Sequence, residues 1–146
     1  VVLDLPAELG GQGELLVIER EGVHVLPAGP LQPGERLLQA AERILREQAG
    51  VIGEALRLLY IVEDRSIEVL VAVHCSLTTS GLDDISLPED AEATFAPLPA
   101  ANHDFQPMAL VEVLREDLVG GFVRPIGHVL VERDGSGRII QVRPSW

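Results

Sequence analysis

The chain has no lysine. All eleven basic residues among its 146 are arginine. A Schiff-base lysine and a phosphate-loop lysine are therefore both excluded. Any phosphate clamp must use arginine, backbone N–H groups or a metal ion. Cysteine is nearly missing as well. Cys75 stands alone, so no internal disulfide can form. Aromatic residues make up 3% of the chain. Tyr60, Phe95, Phe105, Phe122 and Trp146 are the rings besides histidine that could stack on a base, and each reads first as core or interface. No run approaches the roughly 18 apolar residues needed to cross a bilayer. The first residues lack the basic, apolar, small-residue order of a secretory leader. Val1 stands where a start methionine would be, which leaves open whether residues precede it. A cytoplasmic protein is the expectation.

What the chain does have is acid and aliphatic bulk. Twenty-three acidic residues against eleven basic ones give a net charge of −12. That balance argues against nucleic acid or an anionic membrane as the main partner. Hydrophobic residues reach 47%, enough for a real core. The length suits one domain over residues 1–146.

Patterning along the chain gives a coarse order. Glu14 to Arg20 (ELLVIER) reads as a strand and Val23 to Leu26 as its short partner, with Glu21-Gly22 as the turn. A loop rich in Pro and Gly follows. Gly34 to Ala49 carries Leu37, Leu38, Ala40, Ala41, Ile44 and Leu45 at helical spacing, and Gly50 stands where a helix end wants a left-handed residue. Leu56 to Glu63 and Ser66 to Ser76 read as strands. In the second, Ile67, Val69, Val71, Val73 and Cys75 share one face, while Glu68, Leu70, Ala72 and His74 share the other. Ala91 to Ala96 is a further candidate strand, and Pro107 to Leu118 a second helix. Gly127 to Arg133 and Arg138 to Arg143 form a closing hairpin around Asp134-Gly135-Ser136-Gly137. Strands, helix, strands, helix, strands, joined by hairpin-like connections, favour an α+β sandwich over a doubly wound fold.

The stretch that carries chemistry is Gly29 to Val51, GPLQPGERLLQAAERILREQAGV. Gly29 is followed after five residues by Glu35, and that after seven by Arg43, then Leu45, Glu47, Gly50 and Val51. This register resembles a Nudix box. The family pattern has Arg-Glu, an aliphatic residue, any residue, Glu-Glu, any residue, Gly and an aliphatic residue at its end. Here Ile44 and Gln48 stand where two of the three clustered glutamates belong. Leu26-Pro27 just before Gly29 adds to the likeness. The resemblance is close over the box and loose over about residues 14 to 118. It implies an α/β/α sandwich with a mixed β-sheet between helices. The hairpin at 127–143 has no clear place in the minimal family pattern and is a candidate addition. The resemblance also implies Mg²⁺-dependent cleavage of a phosphate anhydride and, since family members are often dimers, a homodimer.

Cleaving a phosphate anhydride is a problem of charge. Divalent ions must neutralise phosphate oxygens and lower the pKa of the attacking water. Magnesium wants oxygen ligands, and helix positions three and four apart can present them on one face. Positions 44, 47 and 48 make that face. Gln48 keeps one neutral oxygen and is at best a weak metal ligand. Ile44 offers none. Glu47 is left as the charged ligand and candidate catalytic group, so Mg²⁺ would be held weakly or not at all. Gly29, Glu35, Arg43, Leu45, Gly50 and Val51 have structural reasons to be present. Glu35 and Arg43 resemble the family's ion pair.

Other carboxylates could compensate. Glu92, shortly before Phe95-Ala96-Pro97-Leu98, resembles the glutamate ahead of the family's aromatic-hydrophobic-Pro-Leu stretch. Asp83, Asp84, Glu89 and Asp90 form an acidic loop that reads more simply as solvated. His24, His74, His103 and His128 have no paired metal-ligand spacing. His74 and Cys75 are neighbours on a strand, face opposite ways and make no dyad. Gly10-Gly11-Gln12-Gly13 lacks the dinucleotide fingerprint.

Three functions compete. One is a Nudix-family protein impaired in hydrolysis and retained to bind a phosphorylated, nucleotide-type ligand or to regulate. The second is a divergent hydrolase in which Glu47 with Glu92, or an acidic-loop carboxylate, holds one ion against a nucleoside diphosphate linked to another moiety. The third is a dimeric interaction module.

Overall fold

The computed structural model describes residues 1–65, 69–77 and 92–146. The elements, in order, are β1 (Val2–Leu3), β2 (Glu14–Arg20), β3 (Val23–Val25), α1 (Leu37–Ala49), β4 (Gly53–Asp64), β5 (Leu70–Leu77), β6 (Ala93–Pro97), β7 (Phe105–Gln106), α2 (Val111–Gly120), β8 (Gly127–Arg133) and β9 (Ile139–Ser145). Five strands form one sheet in the order β1-β5-β4-β8-β9 and four form another in the order β6-β2-β3-β7. Both are mixed. β4 runs antiparallel to β5 and parallel to β8, while β3 is antiparallel to β2 and parallel to β7. A bridge between Asp4 and Leu15 ties the sheets together.

Strand alternation builds the layers. Leu15 and Val17 of β2 join a core that includes Leu110, Val111 and Leu114 around α2. Leu16, between them, joins a second core with Ala41, Leu45 and Ala49 of α1. The same split runs through β5: Val71, Val73 and Cys75 face α1, and Leu70 and Ala72 face the α2 side. A strand buried on both faces explains its near-continuous apolar run. The result is the expected α+β arrangement, with sheets between a helix on each side.

Several bounds differ from the sequence expectation. Helix α1 starts at Leu37, because Gly34 has φ +78° and Arg36 is extended at ψ 153°. The Gln39 side chain accepts from the Arg36 N–H at 3.1 Å, which closes the helix start. At the other end Gly50 has φ 66°, its N–H bonding to the Arg46 carbonyl at 3.1 Å. Before α2, Met108–Leu110 is a 3-10 turn rather than the first turn of the α-helix. Part of the strand expected from Ser66 lies outside the described residues, as do Asp83, Asp84, Glu89 and Asp90. The closing hairpin is not peripheral. β8 lies beside β4, with Tyr60 opposite Gly127 and Val62 opposite Val129.

Candidate functional site

The site is built where α1 crosses the Pro/Gly loop before it. Arg43 is its hub. The Arg43 Nε donates to Glu35 Oε2 at 2.8 Å and its Nη2 to Glu35 Oε1 at 3.1 Å. The same Nη2 reaches the Pro30 carbonyl at 2.9 Å, and Nη1 reaches Glu47 Oε2 at 3.0 Å. One guanidinium thus fastens loop to helix through a two-pronged carboxylate pair. The hydrogen bonds from Arg43 hold the Glu35 carboxyl below its ordinary range. Donating to Glu35, then to Glu47, raises the pKa of the Arg43 guanidinium.

Gln48 faces the other side of the loop. Its Oε1 accepts from the Ala28 N–H at 3.2 Å. Its Nε2 donates to the Ala28 carbonyl at 2.6 Å. The carboxamide therefore bonds both backbone groups of one residue, accepting from the Ala28 N–H and donating to the Ala28 carbonyl. Ile44 is 5% exposed. It lies under the neighbouring Gly29, where an added Cβ would sit 3.4 Å from both Ile44 Cγ1 and Cδ1. Leu45 is fully buried in the α1-side core, and Val51 packs there too.

Glu47 is the charged group left on this face. Its side chain is 56% exposed, with one oxygen on Arg43. Glu92 is exposed just before β6, and its carbonyl accepts from the Glu19 N–H at 2.8 Å. Among the described residues no group of three or more His, Cys, Asp or Glu side chains could hold a metal ion. Among the described residues, the side chains at positions 44, 47 and 48 do not by themselves make an oxygen set for Mg²⁺. A hard cation wants several oxygens, yet position 44 is hydrocarbon. Position 48 turns an N–H toward the nearest backbone oxygen. A shallow groove of about 430 Å³ runs along α1 beside this face, lined by Pro33, Gly34, Glu35, Gln39, Glu42, Arg43 and Arg46.

The frame was visible in the sequence; its anchors were not. Ala28 and Pro30 act through their backbone, and no residue letter encodes that. A second polar cluster also escaped sequence reading. Buried Asp117 accepts from the Tyr60 hydroxyl and from Arg124 Nε at 2.7 Å. Arg124 in turn lies 4.1 Å from the centre of the Trp146 ring. Burial, then the hydrogen bond to Asp117, pushes the Tyr60 hydroxyl far above its ordinary pKa.

The layered α+β fold, with a glycine-bounded loop and helix at its edge, defines a Nudix-type domain. Residues 7–116 match the family model for the NUDIX domain, and the chain belongs to that family. It is 32% identical over 109 residues to the mouse (Mus musculus) protein named 8-oxo-dGDP phosphatase NUDT18, covering 66% of this chain and 33% of that protein. It is 33% identical over 118 residues to the human (Homo sapiens) protein of the same name, covering 72% of this chain and 36% of that one. The chain thus spans about a third of the length of these curated relatives. Among solved structures, a NUDIX hydrolase from Nitrosomonas europaea superposes with a TM-score of 0.62 at 19% identity, over 82% of this chain and 73% of that one. A MutT protein from Bacillus halodurans gives 0.60 at 12% identity, over 90% and 89%. At these identities the structures speak for the fold alone. No described helix is long and apolar enough to cross a membrane.

Proposed function

We propose that this domain binds a phosphorylated ligand of nucleotide type, of the nucleoside diphosphate class, and hydrolyses it poorly or not at all. The observation that carries the reading is the pairing of Gln48 with the backbone N–H and carbonyl of Ala28 beside a buried Ile44. The face that would gather cations offers one carboxylate, and Arg43 already holds one of its oxygens. If a metal ion contributes several kcal/mol at the transition state, losing it slows hydrolysis by on the order of a thousandfold or more. The ligand class comes from the relatives, whose name includes an 8-oxo-dGDP phosphatase activity. The family match ends at residue 116. We read β8 and β9 as an addition that belongs to the same single domain of residues 1–146.

A working hydrolase is the competing reading. It is favoured by the name of the relatives and by the exposed half of Glu47. The deciding assay is phosphate release from a panel of nucleoside diphosphates, oxidised guanine forms included, with and without Mg²⁺ or Mn²⁺. Metal-dependent turnover that disappears in Glu47→Gln would overturn the impaired-hydrolysis reading. Tight ligand binding without metal, and without turnover, would sink the hydrolase. Homodimerisation is a further expectation, tested by light scattering. A ligand-induced rise in melting temperature separates a ligand-binding domain from a pure interaction module.

A further inference from the structure

We propose that the Gln48 carboxamide is a neutral stand-in for a cation, a latch that closes the Ala28–Gly29 loop onto α1 where a carboxylate would need a metal ion to do so. The inference deepens the impaired-hydrolysis reading, but it rests on its own geometry. Ala28 presents both its N–H donor and its carbonyl acceptor to the helix. A carboxamide matches both, and the two bonds measure 3.2 and 2.6 Å. A carboxylate at the same place could accept from the Ala28 N–H. Its second oxygen would then stand against the Ala28 carbonyl at about the distance of a hydrogen bond with no proton between them. Two facing oxygens at that separation repel unless a cation bridges them. The amide's own N–H fills that role.

The neighbours fit a latch rather than a site awaiting an ion. Ile44 seals one flank of Gly29 with hydrocarbon. On the other flank Arg43 fastens Pro30 and Glu35 to the same helix. Loop and helix are thereby joined at Ala28, Pro30 and Glu35 without any added charge. A chain relying on a bound ion for this closure would be loosened by a chelator. This one would not.

The test is thermal unfolding of the wild type, Gln48→Glu and Gln48→Met, each in chelator and then in Mn²⁺ or Mg²⁺. Wild type should melt at the same temperature in both. Gln48→Glu should melt several degrees lower in chelator and recover as the ion is added. Gln48→Met, of similar length but without either bond, should melt lower in both and show no recovery. Gln48→Glu melting like wild type in chelator would overturn the proposal. Equal recovery of Gln48→Met would do the same. Should Gln48→Glu fail to fold, amide exchange in the other two proteins decides. The Ala28 N–H should exchange slowly in wild type and faster in Gln48→Met; equal rates refute the latch. Phosphate release by wild type would count against the impaired-hydrolysis reading and leave these melting shifts untouched, so the two ideas fail separately.

Discussion

Putting the two missing carboxylates back, as Ile44→Glu with Gln48→Glu, should create divalent-ion binding in a protein that still folds. The magnitudes can be worked from the site. Ile44 is 5% exposed, and giving up its burial costs about 1.5–3 kcal/mol. Replacing the Gln48 amide removes the donor to the exposed Ala28 carbonyl and leaves that oxygen facing a carboxylate, a further penalty of about 0.5–1.5 kcal/mol. The sum, about 2–4.5 kcal/mol, falls below the 5–15 kcal/mol typical of a folded domain. Without ions the variant should therefore be folded but weakened. An ion at a hundred times its Kd returns about 2.7 kcal/mol, which for a chain of this size raises the melting temperature by roughly 5–11 °C. Calorimetric titration with Mn²⁺ and Mg²⁺, on protein shown by circular dichroism to be folded, reads the binding directly. Arg43 competes for one oxygen of Glu47, so the affinity should rise again in Arg43→Gln if that variant holds together. A folded double variant that takes up no ion would show that positions 44, 47 and 48 do not form a common ligand face.

Three further expectations concern stability and access. The hydrogen bond from His74, 2.8 Å from Asp4 Oδ1, holds the Asp4 carboxyl below its ordinary range. A depressed carboxylate stabilises the fold above its unfolded value and loses that contribution as pH falls through the folded one. Urea midpoints should therefore fall below about pH 4, and Asp4→Asn should flatten part of that slope; an unchanged slope contradicts the assignment. Burial pushes the Cys75 thiol up to about 11, so a thiol reagent at neutral pH should modify it only as fast as the core opens, and rapid labelling of the native protein refutes its burial. A Cβ on Gly127 would meet Trp146 ring atoms at 2.2–2.8 Å. Gly127→Ala should displace the ring from Tyr60 and Arg124 and cost about 1–2.5 kcal/mol in urea unfolding, and a similar cost in a Trp146→Ala background would show that the ring is not the reason.

Particular residues show what a sequence can carry and where it stops. Helix α1 was legible because Ala40, Ala41, Ile44 and Leu45 repeat at helical spacing and all four are buried. Its C-terminal Gly50 was legible because the left-handed turn it makes suits glycine. β1 and β7 were not legible, since two residues have no period. Their identity comes from partners, His74–Cys75 for β1 and His24–Val25 for β7. The turn of the last hairpin was written in Asp134, whose Oδ1 accepts from the Ser136 N–H at 2.9 Å and the Arg138 N–H at 3.0 Å. The place of that hairpin beside β4 was not, because a parallel neighbour leaves no mark in the local pattern. The Glu35–Arg43 pair was implied by the likeness to the family's box, and the two side chains meet through two hydrogen bonds. Gln48 divides the two kinds of knowledge most sharply. In the sequence it counts as a lost charge. Beside Ala28 it is also a gained proton donor, and the distinction has a consequence. A residue kept only because a glutamate is no longer needed could change freely. If the proposed latch holds, a residue that bonds both the N–H and the carbonyl of Ala28 should give way to a carboxylate only together with an ion.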